Sequence, residues 1–196
     1  GGYLSTMLGT SADVTELEDP ELGNPDQSCV VQAVVAWYGP TNFLKMDEHL
    51  EVSGLLAPPG FRHNESNSPE SLLLGQLINE IPEKVKVANP ETYIHPGAPP
   101  FLLQHGTKDP VVPVQQSIEF AEKLKQVLGE KRVTLELLDG AEHADVRFAR
   151  LGQEFLAVVA HHRIHDIAPQ LARRGGALRL LRAVKIEHAV AILGIE

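Results

Sequence analysis

The chain predicts an α/β protein built on a parallel sheet. Three observations carry this. First, short β-branched, apolar runs end abruptly at turn residues: CVVQAVVAWYG (29–39), PPFLLQHG (99–106) and RVTLELLDG (132–140). Second, helix-spaced segments lie between and after them. Third, each run is short, mostly apolar and bounded by turn residues, as expected of strands covered on both faces. Strands alternating with helices of this length point to parallel pairing.

In chain order, the opening GGYLSTMLGTS has helical spacing, with Leu4, Met7 and Leu8 on one face. The first strand ends at Gly39-Pro40. Residues 40–98 are less regular and contain APPGFRHNESNSPE, a polar, Pro/Gly/Asn-rich loop. Such an insertion reads either as a cover over a site at the sheet edge or as a solvated excursion. Within it SPESLLLGQLI (68–78) predicts a helix with a serine cap and a proline in its first turn. The segment 114–129 predicts a helix with Ile118, Ala121, Leu124, Val127 and Leu128 on one face, stopped by Gly129. A third helix is predicted over 147–163.

The 196 residues suit one domain with a sizeable core, at 43% hydrophobic and 22% charged residues. The net charge of −9 argues against a nucleic-acid partner. The charge is uneven: residues 1–160 carry a net −12 and residues 161–196 a net +3. The break divides the chain into a main body, 1–163, and a basic tail, 164–196, whose LRLLRAVKIEHAVAIL stretch has helical apolar spacing. No run reaches the roughly 20 apolar residues of a membrane span, so no membrane partner is expected. A single cysteine, Cys29, allows no internal disulfide and reads as a small buried hydrophobe.

Two motifs carry chemistry. In HGTKDPVVP (105–113), Asp109 lies just past a strand's C-terminal end, where ligands bind in open α/β sheets. In LLDGAEHADVRF (137–148), His143 lies in the loop after the next strand. Either alone is an ordinary turn residue. Together, parallel neighbouring strands bring them to one sheet edge, where a carboxylate can fix an imidazole tautomer and leave the other nitrogen as a base.

Here the chain resembles a known family. WYGPTNF, SPESLLLG, PPFLLQHGTKDPVVPVQQS and GAEHADVRF look like α/β-hydrolase esterases and lipases of the acetyl-esterase and feruloyl-esterase-like type, over about residues 1–160. The resemblance implies the C-terminal part of an α/β-hydrolase fold with an incomplete sheet. It implies Asp109 as the triad acid and His143 as the base, in the chain order Ser, Asp, His. In such enzymes the nucleophile elbow reads G-x-S-A-G-G, and GGYLSTMLGTS resembles the stretch just after the nucleophile. The serine is therefore expected upstream of Gly1. Ser5, Ser11 and Ser117 lack an elbow setting. The implied chemistry is acyl transfer from a small-molecule ester, with neither cofactor nor metal. A prolyl-oligopeptidase-like peptidase is the nearest enzymatic alternative. A non-catalytic remnant that binds a partner is the alternative from another class.

Trp37 and Tyr38 end the first strand and are candidates both for lining the substrate pocket and for core packing. Asn42 stands where some hydrolases place the acid, but it is not a carboxylate. His105 reads as structural, beside the acid. His161 and His165, at i and i+4, have metal-ligand spacing but no third ligand nearby. With its neighbouring strand missing, the first strand should present an open edge. That predicts a homo-oligomer, or pairing with an N-terminal half.

Overall fold

The computed structural model describes residues 1–12, 14–19, 21–22, 27–148 and 191–192. Its centre is a parallel sheet. Strands β1 (Val34–Trp37), β2 (Phe101–Gly106) and β3 (Val133–Leu138) are joined by a two-residue strand β4 (Ala191–Ile192), in the order β3-β2-β1-β4. Val34 pairs with Phe101, and Phe101 with Val133. All of β1 and β2 is buried, while β3 exposes Leu137 on its outer face.

The first strand is much shorter than expected. Residues 29–33 do not pair: β2 begins at Phe101, and Pro99-Pro100, which in this register would face Gln32 and Ala33, have no N–H to give a ladder. Val34 N–H is the first to bond across, to the Pro100 carbonyl at 2.9 Å. Cys29, expected to be buried, is exposed on this unpaired approach. The strand ends where Tyr38 enters the left-handed region at φ +39°. The β1 edge expected to stand open is paired over two residues, Val34 with Ala191 and Val35 with Ile192.

Helix α1 (Gly2–Ser11) lies against β1 with the face opposite to the one its apolar spacing predicts. Gly2, Ser5, Thr6, Gly9 and Thr10 are buried, and Leu4 is exposed. The physical reason is closeness. A Cβ at Gly9 would overlap Val34 and Phe101, so only a small-residue face fits this near to the sheet. Thr6 and Thr10 satisfy their hydroxyls on helix carbonyls one turn back.

Residues 40–98 form a small helical layer: α2 (Met46–Ser53), α3 (Pro69–Leu74) and α4 (Pro82–Ala88), with short 3₁₀ turns between them. The Ser68 cap and the first-turn Pro69 of α3 are present as expected, the cap accepting from Ser71 N–H at 3.0 Å. The helix stops earlier than the apolar spacing suggests, because Gly75 takes the left-handed conformation at φ +76°. Phe43, Ile78 and Val85 make this layer's own core.

Helix α5 (Gln115–Leu128) packs on β2 and β3 through Phe120, Ala121 and Leu124. Its buried face is rotated from the expected one. Val127 is exposed, and Gln116 and Ser117 are buried instead, because both make hydrogen bonds that a surface position could not reach. The predicted helix over 147–163 lies outside the described residues except for Arg147 and Phe148, which are helical. The basic tail, with His161 and His165, also lies outside them, apart from 191–192.

Candidate active site

Asp109 and His143 meet at the C-terminal edge of the sheet. The loop after β2 carries the acid and the loop after β3 carries the histidine. Backbone bonds zip the two loops together. Thr107 N–H reaches the Leu138 carbonyl at 3.1 Å, and Lys108 N–H the Ala141 carbonyl at 2.9 Å. Thr107 Oγ1 accepts from Gly140 N–H at 2.9 Å and donates to Asp139 Oδ1 at 3.2 Å. Gly106 makes this approach possible, since a Cβ there would overlap the Ala141 carbonyl.

The Asp109 carboxylate is fully buried, and both oxygens are occupied. Oδ1 accepts from the Val111 and Val112 N–H groups, each at 2.9 Å. Oδ2 accepts from His143 Nδ1–H at 2.8 Å and lies 3.3 Å from His105 Nε2. Burial pushes the carboxyl upward, but the hydrogen bonds and charge of His105 and His143 outweigh it and bring the pKa down to about 2. The acid is thus an anion at neutral pH.

His143 is partly exposed and lines a cleft of about 210 Å³. With Nδ1–H committed to Asp109, its Nε2 is the nitrogen left to accept a proton. Tyr38 packs edge-on against the imidazole, ring centres 4.4 Å apart, and against Phe148 at 4.8 Å. The cleft is otherwise mostly apolar, with Tyr3, Pro40, Phe61, Pro69, Val111 and Val112 around it, and Gly1 and Gly2 at one side.

Trp37 and Tyr38 both line this cleft, and the other residues singled out in the sequence lie elsewhere. The Trp37 indole is buried, its Nε1–H donating to Gln104 Oε1 at 2.8 Å, and its ring packs into the core with Val35, Leu102 and Phe148. Tyr38, half-buried, is the one of the pair whose side chain stands against His143. The Asn42 side chain donates to Glu91 Oε1 at 2.8 Å. His105 is fully buried below Asp109. Its Nε2–H donates to the Val112 carbonyl at 2.8 Å, and Nδ1 accepts from the Ser117 hydroxyl at 2.7 Å. Ser117 is buried and spent on this bond. Among the described residues no cluster of three or more His, Cys, Asp or Glu could hold a metal, and no helix is long and apolar enough to cross a membrane.

Some of the supporting residues gave no sequence signal. Gln116, on α5, is buried and holds the loop after β1: Oε1 accepts from Thr41 and Asn42 N–H at 2.8 and 2.7 Å, and Nε2 donates to the Asn42 carbonyl at 3.0 Å. Arg147 ties the histidine loop, bonding the Asp145 carboxylate and the Asp139 carbonyl. His63 also reaches the acid's loop from the helical layer.

A parallel sheet with an acid and a histidine on successive strand-end loops is the arrangement of part of an α/β hydrolase. Comparison with known proteins makes the assignment specific. The BD-FAE family model matches residues 1–124, and the chain belongs to that family. Among curated proteins it is similar to the esterases LipQ (30% identical over 146 residues) and LipC (31% over 143 residues) of Mycobacterium tuberculosis, covering 74% and 73% of this chain. It spans only 30% and 32% of those proteins, about a third of their length. Among solved structures it is similar to a truncated carbohydrate esterase from gut microbiota, with TM-score 0.63 and 27% identity, covering 80% of this chain and 55% of that one. It also matches a bifunctional GH43-CE protein of Bacteroides eggerthii, with TM-score 0.60 and 31% identity, covering 76% of this chain and 19% of that one.

Proposed function

We propose that this chain supplies the acid and the base of a serine hydrolase acting on carboxylic esters. The observation that carries the reading is the bond from His143 Nδ1–H to the buried Asp109 carboxylate, with the imidazole's other nitrogen left for the cleft. In this reading His143 Nε2 takes the proton of a serine hydroxyl as that oxygen attacks the ester carbonyl. It then returns the proton to the leaving alcohol, giving an acyl-enzyme. Water, activated by the same nitrogen, releases the acid. Asp109 stays ionised throughout and stabilises the imidazolium.

The nucleophile is assigned to polypeptide preceding Gly1 in a longer protein. Support comes from α1: its first residue, Gly2, and Gly1 before it share the cleft with His143, so the chain entering this helix passes the base. The mostly apolar cleft suits short acyl or aryl esters, and LipQ and LipC are both esterases.

The test is hydrolysis of p-nitrophenyl acetate and methyl ferulate by the protein extended N-terminally to the length of its relatives, beside the 196-residue chain. The extended protein is expected to hydrolyse them and the 196-residue chain not. His143→Ala in the extended protein should lower kcat by at least about a thousandfold. An extended protein without esterase activity, or a His143→Ala variant at full rate, would overturn the reading and favour a binding role.

A further inference from the structure

One of the two peptide groups that hold Asp109, the Val111–Val112 peptide, is itself held by a histidine from another layer. Val111 and Val112 give their N–H groups to Asp109 Oδ1. The Val111 carbonyl, which shares its peptide with the Val112 N–H, is taken by His63 Nε2 at 3.0 Å, and the Val112 carbonyl, on the next peptide, by His105 Nε2 at 2.8 Å. His105 rises from β2 beneath the loop. His63 comes from the opposite side, from the helical layer of residues 40–98, about 48 residues away in sequence.

His63 is 1% exposed, and both its ring nitrogens face acceptors. Nε2 faces the Val111 carbonyl, and Nδ1 lies 3.0 Å from Glu70 Oε2, a carboxylate that is itself buried on α3. Only an imidazolium can donate to both at once. Below the ring, Asp47 of α2 accepts from the His63 and Asn64 N–H groups, each at 2.9 Å. Glu70 and Asp47 are thus the charged groups that face His63 from the helices packed on it. On the sheet side, Asp109 holds the N–H of the same Val111–Val112 peptide, and Tyr3, Tyr38 and His143 line the cleft with His63. Burial drives the His63 pKa down, but the hydrogen bond and charge of Glu70, with the Val111 carbonyl and Asp47, outweigh it and raise it above the usual histidine value.

We propose that His63 is a positioning residue for the acid: as an imidazolium held by Glu70, it locks the Val111–Val112 peptide from the helical layer, and through the Val112 N–H of that peptide fixes the carboxylate that orients His143. The helical layer then does more than cover the cleft. It determines whether Asp109 is presented in register. When His63 loses its proton, one of its two bonds is lost. If Nδ1–H stays on Glu70, the bare Nε2 opposes the Val111 carbonyl and the loop loosens.

This inference relies on the catalytic reading only for its consequence, so its test reads the loop and not ester hydrolysis. Amide hydrogen exchange at Val111 and Val112 is measured by NMR against the β2 amides, across the titration of the His63 Cε1 proton. Relative protection of the two valine amides is expected to fall about tenfold or more as pH rises through that titration. Glu70→Gln should move the His63 titration, and the protection step with it, to lower pH. His63→Gln keeps one donor but not both, and should remove the step while leaving the β2 amides protected. Protection that does not change through the His63 titration in the unaltered protein overturns the proposal, whether or not either variant folds. Loss of esterase activity in His143→Ala with no exchange step would sink this inference and leave the catalytic reading standing.

Discussion

Gly106 and Ala141 touch backbone to backbone at the point where the acid's loop and the histidine's loop diverge from the sheet. The Ala141 carbonyl, which occupies the space a Gly106 side chain would need, also accepts from Lys108 N–H. One contact thus sets the separation of the two loops and, with it, the 2.8 Å bond between Asp109 and His143.

Gly106→Ala should therefore act on both stability and the site. The obstructing atom is backbone, which cannot rotate away. Overpacking of this kind costs about 1–3 kcal/mol. Urea unfolding should show that loss, and the downfield Nδ1–H signal of His143 should broaden as the loops part. A variant with unchanged stability and an unchanged signal would show that the contact has slack.

Gln116→Leu fills the same space without the amide. It leaves the Thr41 and Asn42 N–H groups and the Asn42 carbonyl without their partner. Leaving a buried donor unpaired costs about 1–3 kcal/mol. The expected loss is about 3 kcal/mol by denaturant unfolding, with the loop after β1 showing the largest rise in amide exchange. A loss under about 1 kcal/mol would mean that water replaces the amide.

Ala144, directly after His143, sits at φ +59°, where a Cβ is strained. Such a residue costs about 1–2 kcal/mol in this region, and glycine relieves it while giving back about 0.5–1 kcal/mol in unfolded-chain entropy. Ala144→Gly should raise stability by up to about 1 kcal/mol and leave the Asp109–His143 bond in place. A destabilised variant would mean that the alanine methyl makes a compensating contact.

Asp109 has a folded pKa of about 2, below its ordinary value of 3.8. A depressed acid stabilises the fold above its unfolded pKa and loses that contribution as pH falls through the folded one. Between about pH 4 and pH 2 wild type should lose about 2 kcal/mol more stability than Asp109→Asn. Parallel acid unfolding curves for the two proteins would contradict this.

Much of the fold is legible because the signals are local. Proline and glycine bound β2 and β3, and Ser68-Pro69 starts a helix whatever surrounds it. Asp109 and His143 can be paired from sequence because parallel topology brings consecutive strand ends to one edge. The elements that differ from expectation share another cause. The buried faces of α1 and α5 do not match their apolar spacing, because burial there depends on closeness to the sheet and on hydrogen-bond need. Cys29 reads as strand because its own neighbours favour one, but β2 begins only at Phe101, opposite Val34, so no partner strand extends to its level.

By itself, then, the sequence determined the parallel α/β class, the strand-end positions of Asp109 and His143, and the caps and stops of individual helices, since these depend on backbone preferences within a few residues. Only the tertiary structure decided which face each helix buries, that Gln116 braces the loop after β1, and that His63 reaches the Val111 carbonyl from another layer. The last two relations join residues about 48 to 75 positions apart through side-chain hydrogen bonds, and no local preference encodes such a partner.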